Sequence, residues 1–371
     1  MKMWYVIMCV TLAVTGVSLL FLSDRICAFP AFGKLKKEKF VISALVVFGF
    51  FCAIGGAINF INAIVCAIYF AIIWAISDLL FFLYAKIFHK SFDPVRAGIC
   101  AVVTSVLALS AGWYLNHNVW EKAYEIKTTK SVKNIKIVMF ADSHVGTTFH
   151  AEGFAKHLAA MQMQNPDLVI VSGDFVDDDT NRADMIAAAQ ALGKMKTTYG
   201  VYFVFGNHDN GYYGSAYRGF SGREMVAELE KNGVRVLRDE VELIDDMFYV
   251  VGRKDFSVER ELNGRRKSMD ELVKGLDRNK YIIVADHQPT DYKNQAAAQV
   301  DLVLSGHTHG GQLFPFNRIG KWIGANDRVY GHEKRVNTNF IVTSGLSDWA
   351  IKFKTGCRSE YVTVNVKAAG K

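Results

Sequence analysis

Polar residues with metal-binding side chains follow the predicted strands in the C-terminal two-thirds of the chain. Each group stands directly after an apolar run, and the members are Asp142 and His144, Asp174, Asn207 and His208, His287, and His307 and His309. Residues that follow the carboxyl ends of strands meet at one edge of an α/β sheet. Carboxylate, imidazole and amide groups without a thiolate suit Mn²⁺, Fe or Zn²⁺ better than Ca²⁺ or a copper redox centre. We therefore predict a metal site at this edge.

The separate motifs differ in how specific they are. Asp142-x-His144 alone is common by chance, and Gly173-Asp174 could be only a turn or a helix cap. Asn207-His208-Asp209 and His307-Thr308-His309 are more specific, because packing gives no reason for polar residues directly after buried strands. The ordered set favours a metal site over histidines buried for structural reasons. An Asp shared by two cations would hold them about 3.5–4 Å apart, as in two-metal hydrolases.

Short apolar runs alternate with amphipathic stretches after residue 134, which predicts a layered α/β domain. The predicted strands are Ile135–Phe140, Leu168–Ser172, Val201–Phe205, Phe248–Val251, Tyr281–Ala285, Leu302–Leu304, Phe340–Thr343 and Tyr361–Val366. The predicted helices cover about 151–164, 182–196, 222–232, 268–276 and 291–298. No Pro-rich linker divides this part. We expect one domain over 135–371, preceded by a polar linker over 117–134.

The first third of the chain is almost free of charge. Residues 1–118 contain 9 of the 43 Lys+Arg and 4 of the 36 Asp+Glu. A membrane-spanning helix needs about 20 predominantly apolar residues. We predict a transmembrane region over 1–116 with four helices, at about 4–22, 40–58, 63–88 and 97–115. Lys2 before an apolar run could also open a signal peptide, but no small-residue cleavage site stands out.

The basic residues of this region predict an orientation in the membrane. One loop carries Arg25, Lys34, Lys36, Lys37 and Lys39, and another carries Lys86, Lys90 and Arg96. The tip between the second and third helices is uncharged. The positive-inside rule puts both basic loops in the cytoplasm. We predict a multi-pass protein of the cytoplasmic membrane with its C-terminal domain outside the cytoplasm. Because the surplus positive charge lies beside apolar segments, no nucleic-acid partner is predicted.

The ordered set of motifs resembles the calcineurin-like metallophosphoesterase family over essentially all of 135–367. The string Ser305-Gly-His-Thr-His-Gly-Gly-Gln312 and the later Ser344-Gly345-Leu346 are similar to the bacterial YkuE-like branch, whose members are membrane-associated, phosphodiesterase-type enzymes. The resemblance implies an α/β domain of two facing mixed β-sheets flanked by helices. It also implies a dinuclear metal centre at one edge.

Transferred motif by motif, the resemblance implies a set of ligands and a mechanism. One metal would be held by Asp142, His144, Asp174 and His309, and the second by Asp174, Asn207, His287 and His307. A metal-bound hydroxide would attack phosphorus in line. His208 would stabilise the phosphoryl oxygens or protonate the leaving oxygen, and Asp177 would orient His208. The expected cofactors are two divalent ions: Mn, Fe or Zn.

One departure from the family pattern concerns the substrate. The Ser/Thr protein phosphatases of the superfamily carry Arg where this chain has Asp178, within the run 177–179 of three acids. Negative charge repels a dianionic monoester more than a monoanionic diester. We therefore predict diester or pyrophosphate-type substrates, with Arg218, Arg223 and Arg253 as candidate phosphate contacts.

The predicted function is thus that of a membrane-anchored, two-metal phosphohydrolase, and the charge argument favours a phosphodiesterase. Tethering suggests a phospholipid, a lipid-linked phosphate or a cell-wall diester as substrate. An alternative is a pyrophosphatase of lipid A synthesis that cleaves UDP-diacylglucosamine, a cytoplasmic substrate that requires inverted topology. A third reading is a non-catalytic membrane sensor or binding module. The filled ligand positions weigh against that reading.

Overall fold

The structure is a computed structural model that describes residues 2–33, 38–260 and 264–368. The chain divides into two units. A helical unit comprises Met1–Trp113 with Ala350–Lys352, and an α/β unit comprises Tyr114–Trp349 with Phe353–Lys371.

The helical unit is built from four long apolar helices. They are α1 Lys2–Ile26, α2 Lys39–Ala57, α3 Phe60–Ile87 and α4 Pro94–His117. All four are long and apolar enough to cross a membrane. The four predicted helices are therefore confirmed, although most extend beyond the predicted limits, because a helix continues past its apolar centre. Lys34, Lys36 and Lys37, on which the predicted orientation partly depends, lie outside the described residues.

An ion pair lies among these helices. Nε of Arg25 is 2.7 Å from Oδ2 of Asp78, an acid within α3. An ionised side chain in an apolar helix is costly unless it is paired. The pair with Arg25 accounts for an acid at this position without a role in chemistry.

The α/β unit contains twelve strands and eight helices among the described residues. The strands are β1 Val119–Thr128, β2 Ile135–Phe140, β3 Leu168–Ser172, β4 Val201–Val204, β5 Val234–Val236, β6 Glu240–Ile244, β7 Phe248–Gly252, β8 Tyr281–Ala285, β9 Leu302–Ser305, β10 Gly331–Arg335, β11 Thr338–Val342 and β12 Ser359–Ala368. The helices are α5 Ala151–Gln162, α6 Arg182–Gly193, α7 Ser215–Arg218, α8 Gly222–Lys231, α9 Ser257–Arg260, α10 Met269–Val273, α11 Tyr292–Ala297 and α12 Ile319–Trp322.

The strands form two mixed six-stranded sheets. The first has the order β1-β12-β2-β3-β4-β5, with β2 to β5 parallel and β12 antiparallel to β2. The second has the order β10-β11-β9-β8-β7-β6, with β11, β9, β8 and β7 parallel and both outer strands antiparallel.

Buried apolar side chains hold the sheets together in layers. Ile137 and Tyr202 of the first sheet share one core with Ile283 and Leu304 of the second. A second core joins the other face of the first sheet to α5, α6 and α8, and a third joins the second sheet to α10 and α11. The predicted fold of two mixed sheets flanked by helices is confirmed.

The predicted linker over 117–134 is wrong, because Val119–Thr128 forms β1. This strand pairs in parallel with β12 at the edge of the first sheet. Only alternate side chains are covered at an edge, so Tyr124 and Ile126 turn inward while Ala123 and Glu125 stay exposed. Because both faces of this strand carry charged residues, the sequence does not show the alternation of apolar and polar residues that predicts a strand.

Candidate metal centre

The polar groups predicted from the sequence stand at the ends of five strands, three in the first sheet and two in the second. Asp142 and His144 follow β2, Asp174 follows β3, Asn207 and His208 follow β4, His287 follows β8, and His307 and His309 follow β9. Ligand sites in α/β folds form at such carboxyl ends. Short loops leaving buried strands therefore position every predicted ligand.

Six of the side chains gather into two groups with metal-ligand spacing. The ligand atoms of Asp142, His144 and His309 lie within 4.8 Å of one another, and so do those of Asp174, His287 and His307. The amide of Asn207 extends the second group, with Oδ1 3.2 Å from Nε2 of His287. Each group offers the oxygen and nitrogen donors that a divalent transition metal binds.

Asp174 connects the two groups. Its Oδ2 lies 3.2 Å from Nε2 of His287 and 3.8 Å from Nε2 of His144. Its Oδ1 accepts the backbone N–H of His208 at 2.9 Å, which fixes the plane of the carboxylate. A carboxylate shared between two ligand groups is the arrangement of two-metal hydrolases.

The ring nitrogens of His144 and His307 are in the state that a metal ligand requires. His144 is fully buried; its Nδ1 lies 3.2 Å from Oδ2 of Asp177, and its Nε2 makes no hydrogen bond. Burial lowers the pKa of His144 well below its usual range, and burial together with the nearby His287 lowers the pKa of His307 to about 3. Both rings are therefore neutral near pH 7 and have a lone pair to offer. A buried nitrogen without a partner costs about 1–3 kcal/mol, which a bound cation would offset.

The backbone passes very close to the ligand carboxylates. A Cβ on Gly206 would lie 2.1 Å from Oδ1 of Asp174, and one on Gly306 would lie 2.5 Å from Oδ2 of Asp142. Asp142 and Asp174 themselves have φ of 54° and 53°. Left-handed backbone in residues other than glycine is uncommon and concentrates at functional sites. Glycine is thus required at 206 and 306 by lack of space.

Asp209 organises the loops that carry the ligands. Its buried carboxylate accepts the backbone N–H groups of Asp174, Phe175, Val176 and Gly206 at 2.7–3.1 Å. The loop after β3 and the loop after β4 are therefore bound to one side chain. Asp209 therefore has a structural role, two residues after the predicted ligand Asn207.

His208 stands beside the two groups with its side chain partly exposed. Its ring centroid is 5.0 Å from that of His144, 5.1 Å from that of Tyr212 and 5.4 Å from that of Trp349. Of the predicted site histidines, His144 and His287 are fully buried. His208 is therefore placed where a ligand could meet it.

Asp177 contacts His144 and also lies near His208, the residue that the resemblance pairs with it. Its Oδ2 is 3.2 Å from Nδ1 of His144, and no hydrogen bond joins it to His208 in the described part of the chain. Oδ1 of Asp177 accepts the N–H of Asp179 at 2.9 Å, which turns the carboxylate toward His144. Burial raises the pKa of Asp177 to about 7. The carboxylate thus contacts a predicted ligand directly and also lies within 4.8 Å of a ring nitrogen of His208. Its role in orienting His208 stays a prediction.

Two of the three arginines predicted as candidate phosphate contacts bind other groups of the protein. Arg218 is buried and donates to the carbonyl of Asp209 at 2.7 Å. Arg253 is buried and donates to the carboxylates of Asp286 and Asp291 at 2.9 and 2.8 Å. The expectation that these two arginines bind phosphate is not supported, because both are committed to structural bonds. Arg223 is exposed on α8.

The sequence reasoning missed two residues that contact predicted ligands. Oδ1 of Asp348, which is buried, lies 3.0 Å from Nδ1 of His309. The hydroxyl of Tyr212 accepts a hydrogen bond from Nδ2 of Asn207 at 2.9 Å, which leaves Oδ1 of Asn207 facing His287. Such partners fix the orientation of metal ligands. The signal for Asp348 was an acid that directly follows the string Ser344-Gly345-Leu346-Ser347, whereas Tyr212 had only its nearness to Asn207.

Comparison with known proteins decides the family. Residues 135–311 match the family model described as calcineurin-like phosphoesterase. A metallophosphoesterase of Aquifex aeolicus is 35% identical over 195 residues, which cover 52% of this chain and 70% of that protein. The chain belongs to the calcineurin-like metallophosphoesterase family. The resemblance stated from the motifs is confirmed.

Two further relatives are longer than the part they share with this metallophosphoesterase. A metallophosphoesterase of Campylobacter jejuni is 29% identical over 248 residues, covering 66% of this chain and 63% of that protein. A transmembrane protein with metallophosphoesterase domain from Danio rerio is 30% identical over 252 residues, covering 66% of this chain and 55% of that protein. The chain thus spans less than two-thirds of the length of both. The zebrafish relative and the four apolar helices support membrane association.

Proposed function

We propose that this metallophosphoesterase is a membrane-anchored phosphohydrolase that uses two divalent cations and acts on phosphodiesters. The observation that carries the proposal is the pair of buried ligand groups that share Asp174, with His208 partly exposed beside them. When bound, two such cations act as Lewis acids on the phosphoryl group and lower the pKa of a water molecule.

Seven residues would bind the two cations, and one residue, His208, would carry a proton. The first cation would be held by Asp142, His144, Asp174 and His309, and the second by Asp174, Asn207, His287 and His307. These donors suit Mn, Fe or Zn. His208 would protonate the leaving oxygen or donate a hydrogen bond to a phosphoryl oxygen. A general acid typically raises the reaction rate by about 10²–10⁴-fold. Asp177, 3.2 Å from His144, would position that ligand.

The preference for diesters is supported by the charge around the site. Asp178 lies in the loop after β3 and accepts the N–H groups of Tyr212 and Tyr213, both at 3.0 Å. Arg218 and Arg253 are committed to structural partners. A dianionic monoester would meet this acid without those arginines to offset it, and a monoanionic diester is repelled less.

Hydrolysis by the full chain tests the proposal. The protein would be reconstituted in nanodiscs with Mn²⁺ and given a diaryl phosphodiester and the matching aryl monoester. We expect faster turnover of the diester, abolished by a chelator. Faster turnover of the monoester would overturn the diester preference, and no turnover by a chain that binds two cations would overturn the hydrolase.

The role of His208 has its own test. His208→Ala should lower kcat by about 10²-fold or more while metal content stays at the wild-type value, because His208 assists the reaction without holding a cation. His150→Ala is the matched control, since that side chain is 72% exposed and pairs with Asp184. Full activity of His208→Ala would contradict the role.

The substrate class and the orientation of the α/β unit complete the proposal. Anchoring in a bilayer favours a lipid-linked or cell-wall diester. Arg25 and Lys39 in one basic loop, with Lys86, Lys90 and Arg96 in the other, favour cytoplasmic loops and an external α/β unit. A C-terminal reporter that works only outside the cytoplasm should be active. An inactive reporter whose cytoplasmic counterpart is active would overturn the orientation and favour a cytoplasmic pyrophosphate substrate.

A further inference from the structure

Three residues of the loop between β11 and β12 belong to the helical unit. We call Ala350–Lys352 the strap. The strap is bound by Asn59, which caps α3, and by Asn62 in the first turn of α3. These two asparagines lie where α2 ends and α3 begins, a turn without charged residues.

Three hydrogen bonds hold the strap through its backbone. The carbonyl of Ala350 accepts from Nδ2 of Asn59 at 3.0 Å and from Nδ2 of Asn62 at 2.9 Å. The N–H of Lys352 donates to Oδ1 of Asn62 at 2.8 Å. Because only backbone groups take part, the asparagines fix the course of the chain at 350–352 whatever side chains it carries.

Helix capping alone does not explain this pair. Oδ1 of Asn59 accepts the N–H of Asn62 at 2.9 Å, and a Ser, Thr or Asp would supply the same cap. Asn62 is fully buried in an apolar helix, where an amide is costly unless its bonds are made. Both donors and the acceptor of Asn62 are satisfied by Asn59 and the strap. The strap thus supplies the partners that make an amide tolerable at position 62.

The residues just before the strap lie at the metal centre. Asp348 stands behind His309, with Oδ1 3.0 Å from Nδ1, and the ring of Trp349 is 5.4 Å from that of His208. The N–H of Ser347 donates to the carbonyl of Asp142 at 2.9 Å. Ala350 directly follows Trp349, so their Cα atoms are about 3.8 Å apart. A shift of Ala350 therefore moves the backbone that carries Trp349 and Asp348.

We propose that Asn59 and Asn62 are positioning residues for hydrolysis at the metal centre. By fixing Ala350 and Lys352 they fix the backbone from which Trp349 meets His208 and Asp348 meets His309. The inference rests on the proposed function and extends it. It gives the turn between α2 and α3 an effect on hydrolysis beyond anchoring.

The experiment uses the full chain in nanodiscs with Mn²⁺ and a diaryl phosphodiester. Asn62→Ala removes two of the three strap bonds, and Asn59→Ser removes the third while keeping an oxygen for the cap. A misplacement of about 1 Å costs up to about 10²-fold in rate. We expect kcat to fall about 10-fold or more in Asn62→Ala and less in Asn59→Ser, with KM and metal content near wild type.

Ser77→Ala is the matched control. It removes a buried hydroxyl of the helical unit that donates to the carbonyl of Ala97 at 2.8 Å and does not touch the strap. It should lower the melting temperature without lowering kcat. A similar loss of kcat in Ser77→Ala would show a general effect of destabilised helices and overturn the positioning role.

Amide hydrogen exchange at Lys352 provides a reading that does not depend on activity. Exchange should be faster in Asn62→Ala than in wild type, because the acceptor of this N–H is removed. Unchanged exchange would overturn the strap bonds themselves. Faster exchange with unchanged kcat, in a wild type that hydrolyses the diester, would overturn the positioning role alone. An inactive wild type would instead overturn the proposed function on which the role rests.

Discussion

Asp348 contacts one ring nitrogen of His309, and the other ring nitrogen is directed toward Asp142. Nδ1 of His309 is 3.0 Å from Oδ1 of Asp348, and Nε2 is 3.7 Å from Oδ1 of Asp142. Nζ of Lys354, which is fully buried, is 3.9 Å from the same carboxylate and donates to the carbonyl of Ser344 at 2.7 Å. The carboxylate therefore combines an orienting contact with a buried positive neighbour.

Asp348→Asn should weaken binding of the cation held by His309. The neutral amide loses the negative charge that fixes the ring and raises its basicity, and such changes typically cost about 10–100-fold in metal affinity. Titration of the metal-free chain with Mn²⁺ measures the effect. Asp270→Asn, an exposed acid in the first turn of α10, is the control. Equal Kd values for the two variants would contradict the role of Asp348.

The predicted ligands could be identified because each is a polar residue that directly follows a buried strand. Asp348 and Tyr212 could not be assigned as their partners, because those contacts depend on where two long loops fold. For Asp177, the sequence predicted the residue but not its contact with His144. The hydrogen bond from Asp179 turns its carboxylate toward His144, and no sequence pattern encodes that turn.

Among the elements, strands buried on both sides were predicted within one or two residues. Ile135–Phe140, Leu168–Ser172 and Tyr281–Ala285 match their predicted limits, because continuous apolar runs mark strands covered on both faces. The missed strands β1, β5, β6 and β10 lie at or near sheet edges, where charged residues interrupt the pattern.

The reassignment of 119–128 from linker to strand can be tested by a charge on its inner face. Ile126 is 4% exposed within the core between the sheets, whereas Ala123 is exposed on the other face. Ile126→Asp should destabilise the α/β unit by about 3 kcal/mol or more, because a charge would be buried without a partner. Ala123→Asp should change stability by less than about 1 kcal/mol. Equal melting temperatures for the two full-length variants would favour the linker.

At the scale of the whole molecule, four apolar helices exceed what a single anchor requires. Composition alone predicted them, since a run of apolar residues is long enough to be recognised without knowledge of the fold. The part played by Asn59 and Asn62 could not be predicted, because their partner segment lies 288–291 residues further along the chain.

Metal stoichiometry measured together with diester turnover tests the central claim, which is that Asp174 joins two cations in one hydrolytic centre. The full chain in nanodiscs, loaded with Mn²⁺, would be compared with Asp174→Asn and with the Asp270→Asn control. We predict two cations per chain and chelator-sensitive turnover for the wild type and the control. Asp174→Asn should hold fewer than two cations and lose turnover. Two retained cations with undiminished turnover in Asp174→Asn would contradict the account.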